Sequence, residues 1–175
     1  MSGLSTKNIK TGGGLPKLIE PGTHTLKINN VYLERNTFME EKQAYYLVFD
    51  VETKPIDGFQ GFQIDPEDES KGFYAGQIGK VKTNRYFYAD GVTKSGVEVS
   101  RDNEILRQLK NLCAASNNLA WFDEADGKYL TIEDFVEAFN TAKPFKDIFF
   151  NFTIAGKEFA KKNTYVGYEL FLPKL

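Results

Sequence analysis

From Pro21-Gly22 onward, apolar and polar positions alternate as in an extended strand, with His24, Leu26 and Ile28 in one phase and Val31 and Leu33 in the other. Successive strand side chains point to opposite faces. The change of phase at Asn29-Asn30 therefore marks one extra residue, and predicts a β-bulge in a long, bent first strand over 23–35. The polar stretch from Arg35 to Glu41 predicts a hairpin loop. A second strand over 43–53 sets Tyr45, Leu47, Phe49 and Val51 against Ala44, Tyr46, Val48, Asp50 and Glu52, a mixed face expected to be partly exposed. Residues 54–78 keep no period, contain Pro55, Gly58, Gly61, Pro66, Gly72 and Gly76, and form a long loop.

A third strand over 80–89 carries the most distinctive chemistry of the chain. Lys80, Lys82, Asn84, Tyr86 and Tyr88 share one face, and Val81, Thr83, Arg85 and Phe87 share the other. A cationic and aromatic face is what a single-stranded nucleic acid requires, because phosphates seek ammonium groups and every base offers a π face for stacking. The same residues also fit an ordinary strand, since Tyr and Phe pack well on a pleated surface and Lys is at home on a solvated one. Asp90-Gly91 ends this strand.

Helical spacing then takes over. Ser100 precedes Ile105, Leu106, Leu109, Leu112 and Cys113, which predicts an amphipathic helix over 101–116 with Asp102 and Glu104 at its positive end. Thr131 to Asp134 resembles a capping box, and Ile132, Phe135, Val136 and Phe139 form the stripe of a second helix that Pro144 ends. The chain closes as a hairpin: Ile148, Phe150, Phe152 and Ile154 on a fourth strand, a basic tip over 156–163, and a fifth strand over 165–172. Residues 1–20, with Gly12-Gly13-Gly14 and no period, predict a flexible arm. No strand precedes that glycine run and no Gly-Lys-Ser/Thr follows it, so it is not a phosphate-binding loop.

Composition narrows the function classes. With 175 residues, 41% hydrophobic and 26% charged, the chain is long enough for one cored domain over 21–175 without disulfides. Aromatics reach 14%, which favours a β-rich fold. A net charge of −2 gives no general attraction to polyanions, so a nucleic-acid site must come from local clustering. One cysteine, Cys113, and one histidine, His24, cannot build a Cys/His zinc site, and low cysteine content suits a reducing cytoplasm. The acidic run Asp65-Pro66-Glu67-Asp68-Glu69 lacks the order of an EF-hand and reads as a solvated loop. No cofactor, metal or membrane span is expected. Cys113 lies on a buried helix face with no base in view, and Asp123, Glu124 and Asp126 beside Gly127 look like a turn, so enzymatic chemistry is not expected.

Three strands, then two helices, then two strands, with a bulged first strand, is the order of a five-stranded Greek-key OB-fold barrel. That fold binds oligonucleotides on strands 2 and 3 with the loops joining strands 1–2 and 4–5. The cationic and aromatic positions fall on those places: Lys80, Lys82, Arg85, Tyr86 and Tyr88 on the third strand, Arg35 and Lys42 in the first loop, and Lys157, Phe159, Lys161 and Lys162 in the last. Arg85 alternates away from the face unless the strand bulges.

The run Gly22-Thr23-His24-Thr25-Leu26-Lys27-Ile28 with Val31, followed by Tyr45-Tyr46-Leu47-Val48-Phe49-Asp50-Val51, resembles the OB-fold single-stranded DNA-binding proteins of tailed bacteriophages, over residues 20–172. The resemblance implies sequence-tolerant binding of single-stranded DNA in replication, recombination or repair, replication proteins as partners, and a place in the host cytoplasm. Two departures stand out. The chain runs to Pro173-Lys174-Leu175 straight after a strand, where many such proteins carry an acidic tail that docks partners, and the loop at 54–78 is longer than in simpler members. The rival reading is a structural or protein-recognition β-barrel that uses the same aromatics for packing or protein contacts. The sequence leaves oligomeric state, base preference and DNA against RNA open.

Overall fold

The computed structural model describes residues 15–37, 43–83, 87, 90–160 and 166–172, with the backbone alone given for 157–160 and 166–172. The protein is mainly β. Strands β1 (Gly22–Arg35), β2 (Tyr45–Thr53) and β3 (Ile78–Thr83) come first, followed by a small hairpin of β4 (Gly91–Val92) and β5 (Glu98–Val99). Helices α1 (Arg101–Ala115), α2 (Leu119–Glu124) and α3 (Ile132–Ala142) lead to β6 (Phe149–Ala160) and β7 (Val166–Leu172). The long strands curl into a closed ring in the order β1-β2-β3-β7-β6, antiparallel throughout except for the parallel β3–β7 pair.

Alternation decides what lies inside. Leu26, Ile28, Val31, Leu47, Phe49, Val51 and Val81 are buried in the barrel, as is Phe87, whose backbone bridges Tyr45. The expected bulge is present: the β1–β2 register shifts between Ile28 and Asn30. A bulge frees backbone polar groups from the ladder, and α3 captures them here. Asn140 Oδ1 accepts from the Val31 N–H at 2.8 Å, and Lys143 Nζ donates to the Asn29 carbonyl at 2.5 Å and to Asn30 Oδ1 at 2.9 Å. Lys143 ends α3 in the left-handed conformation, which turns its side chain onto the bulge.

Both expected helices are capped as their sequences require, Ser100 accepting from the Asn103 N–H and Thr131 from the Asp134 N–H. Their stripes place Ile105, Leu109, Cys113, Val136 and Phe139 in the core, with Trp121 meeting Phe135 and Phe139 edge-on at centroid distances of 5.8 and 5.2 Å.

Several expectations need correction. Three helices, not two, stand between β3 and β6, because Leu119, Trp121 and Phe122 add a short α2 against the α3 stripe. The segment read as a flexible arm is docked at its end: Leu18 bridges Ile78, and Ile19 is 3% exposed and part of the core. Residues 1–14 lie outside the described residues. The 54–78 loop folds back on itself through a Gln63–Phe73 bridge and returns to β2 where Gly76 packs so closely that a Cβ would sit 2.4 Å from the Thr53 carbonyl oxygen. Strand β6 continues through Ala160, so Lys157 and Phe159 lie in a strand and not in a loop.

Candidate nucleic-acid interface

Register across β1, β2 and β3 builds an outward face as a grid. Asn30 pairs with Asp50 and Asp50 with Lys80, while in the next row Tyr32 pairs with Val48 and Val48 with Lys82. Glu34 pairs with Tyr46 at one end, and Lys27 pairs with Glu52 at the other. Diagonal neighbours on such a surface lie within reach of long side chains. Lys82 Nζ accordingly sits 5.2 Å from the centroid of the Tyr46 ring on the adjacent strand, and Lys80 reaches across β2 to place its Nζ 5.2 Å from that of Tyr32 on β1.

The same face carries carboxylates. Lys82 is paired with Glu34, Lys27 lies 3.2 Å from Glu52, and Asp50 accepts from Asn30 at 3.2 Å and from the Tyr32 hydroxyl at 3.4 Å. Lys80 is exposed, and a hydrogen bond with Tyr32, helped by the charges of Asp50 and Glu34, raises its amine above the usual lysine range against a modest cost of burial. It therefore stays fully charged at neutral pH. Among the described residues three lysines, Lys27, Lys80 and Lys82, stand against three carboxylates, Glu34, Asp50 and Glu52, and Lys80 and Lys82 lie on aromatic rings.

Arg35 turns the other way. It ends β1 with its guanidinium 5.9 Å from the Tyr45 ring, and Arg101 lies 4.7 Å from the same ring. The Tyr45 hydroxyl donates to Glu133 on α3 at 2.5 Å. That hydrogen bond, aided by Arg101 and Arg35, holds the Glu133 carboxyl below its ordinary range despite the opposing effect of burial. Tyr45 is 4% exposed, so this cluster ties the barrel to the helices and offers no open ring.

No protein-family model, curated protein or solved structure matches this chain. The site therefore stands on its own geometry. Lys80 and Lys82 share one face as parity requires. Arg85, Tyr86 and Tyr88, expected on the third strand, Lys42, expected in the first loop, and Lys161 and Lys162, expected at the last tip, lie outside the described residues. The backbone of β6 pairs Lys157 with Glu169 and Phe159 with Gly167. Among the described residues no helix is long and apolar enough to cross a membrane, and no group of three or more His, Cys, Asp or Glu is placed to hold a metal.

Sequence reasoning missed Tyr32, and it gave Tyr46 to the mixed face without assigning it a role. The signal for Tyr46 was its parity with Val48 and Asp50. For Tyr32 the signal appears only after the bulge is counted, which puts it on the outward face between Asn30 and Glu34.

Proposed function

We propose that the barrel is an OB-fold and that its β1–β2–β3 face binds single-stranded DNA with little base preference, as a non-enzymatic protein of DNA replication, recombination or repair. The reading includes a cytoplasmic setting, the host's if the chain is viral. It is carried by one observation: two outward rings, Tyr32 and Tyr46, each covered by a lysine ammonium from β3. The parallel β3–β7 closure, with all three helices between β3 and β6, supports the fold assignment.

Magnitudes permit exchange of the ammonium for a base. A cation on a half-buried ring such as Tyr32 or Tyr46 is worth about 0.5–2 kcal/mol, whereas a stacked base contributes about 1–3 kcal/mol. The Lys82–Glu34 pair is partly exposed, and such pairs are worth about 0–1 kcal/mol, so a phosphate that displaces Glu34 meets little resistance. On binding, each lysine leaves its ring to a base and reaches the adjoining phosphate. Because the carboxylates offset the lysines, stacking supplies more of the affinity here than on a strongly basic groove. Fluorescence anisotropy with a labelled thirty-mer of dT tests this, comparing the wild type with Tyr32→Ala and Tyr46→Ala. Each variant is expected to weaken binding by about 1–3 kcal/mol per lost stack while unfolding near the wild-type temperature. Unchanged affinity in both variants removes the face from consideration.

A further inference from the structure

A second surface lies on the helical side, away from the residues used above. Between α1 and the turn joining α2 to α3 is a pocket of about 440 Å³ whose apolar wall is Leu106, Phe122 and Phe135. Its rings are already locked: Phe135 meets Phe122 at 5.5 Å and Tyr129 at 5.6 Å, both edge-on. A preformed aromatic wall costs little to order when something enters. Asp123 and Asp126 line the same pocket and both are exposed. Beside Tyr129 in the chain, Leu130 is 99% exposed.

Charge selects the occupant. Asp123 and Asp126 are the carboxylates that line the pocket, and Glu124 and Lys128 stand beside them in the chain. From α1, Lys110 contributes an ammonium 5.7 Å from the Phe122 centroid. Two exposed carboxylates at the mouth of an apolar pocket, against one ammonium held over a ring, favour a ligand that carries cations beside its apolar group. We propose that this pocket docks a partner protein through a peptide segment carrying one bulky apolar side chain flanked by lysine or arginine. The apolar side chain fills the space against Phe122 and Phe135, and the flanking cations meet Asp123 and Asp126. This docking does not depend on the single-stranded DNA reading.

Trp121 is the only tryptophan of the chain and packs edge-on against Phe135, so its fluorescence reports on the pocket. The full chain is titrated with three tryptophan-free hexapeptides: acetyl-Lys-Lys-Leu-Phe-Lys-Lys-amide, its counterpart with Glu in place of every Lys, and its counterpart with Gly-Gly in place of Leu-Phe. The expected result is a saturable change with the first peptide alone. Combining Asp123→Asn with Asp126→Asn should then weaken that binding roughly twofold to thirtyfold, the range that two exposed ion pairs supply. Both positions are exposed, and circular dichroism of the variant checks its fold. The proposal is overturned by no saturable change with the first peptide, by an equal response to either control, or by unchanged affinity in the folded variant. A concentration-dependent shift of Trp121 emission without peptide assigns the pocket to a second copy of the chain and overturns it as well.

Discussion

Asn140→Ala should destabilise the protein although Asn140 belongs to no hydrophobic stripe and lies outside the proposed interface. At the bulge the Val31 N–H donates to Asn140 Oδ1 at 2.8 Å, and Val31 is 0% exposed. Removing the acceptor leaves a buried donor unsatisfied, which costs about 1–3 kcal/mol. For a domain of this size that corresponds to a fall in melting temperature of roughly 2–12 °C. Thr141→Ala is the control on the same helix: its exposed hydroxyl bonds only the Glu137 carbonyl one turn back, and its loss should stay within about 0.5 kcal/mol. Urea unfolding of the three proteins gives the comparison, with the slope expected to be unchanged. Amide exchange gives a second reading, since Val31 should exchange faster in Asn140→Ala. If Asn140→Ala unfolds with the midpoint of Thr141→Ala, the clasp between α3 and the bulge contributes nothing and the reasoning fails.

Two further predictions concern titrating groups. Glu133 has a folded value below its ordinary one, chiefly because Tyr45 donates to it, so its stabilising contribution is fully present above the ordinary glutamate range and is lost as pH falls through the lowered value. The stability gap between wild type and Glu133→Gln should therefore close on acidification, and a gap that widens instead contradicts the assignment. Burial raises the Cys113 thiol to about 11, so the native protein should react with a disulfide reagent at pH 8 only as fast as it opens, and the unfolded chain at once. Rapid labelling of the native protein would show that the α1 face is not closed.

How much was legible in the residues depended on whether the determinant was local. The inward positions of β1, β2 and β3 follow from a period of two, and the bulge from one break in that period at Asn29-Asn30. Helices α1 and α3 follow from their stripes and caps. Helix α2 was lost because Asn117-Asn118 carries a stop signal, and the six residues after it are too short to show a period. Ile19 was lost because a single apolar residue has no period at all; it is held by the Leu18–Ile78 bridge, sixty positions away in sequence. The continuation of β6 through Lys157 and Phe159 depends on pairing with β7, and the glycine and charges at 156–158 hide it. The site shows the same division. The parity of Lys80 and Lys82 is local, whereas their placement on Tyr32 and Tyr46, and beside Glu34 and Asp50, is set by strand register.

The most direct measurement is the affinity of the wild-type protein for a thirty-mer of dT, followed by anisotropy as salt is raised. Phosphate contacts release counterions, so the logarithm of the binding constant should fall linearly with the logarithm of salt concentration, by roughly 0.7 per phosphate neutralised on a single strand. With Lys80 and Lys82 reaching phosphates, a slope of about −1.4 or steeper is expected, and binding that persists at high salt through stacking on Tyr32 and Tyr46. Absence of binding at low salt, or an affinity that ignores salt altogether, contradicts the proposal and favours a β-barrel that recognises protein.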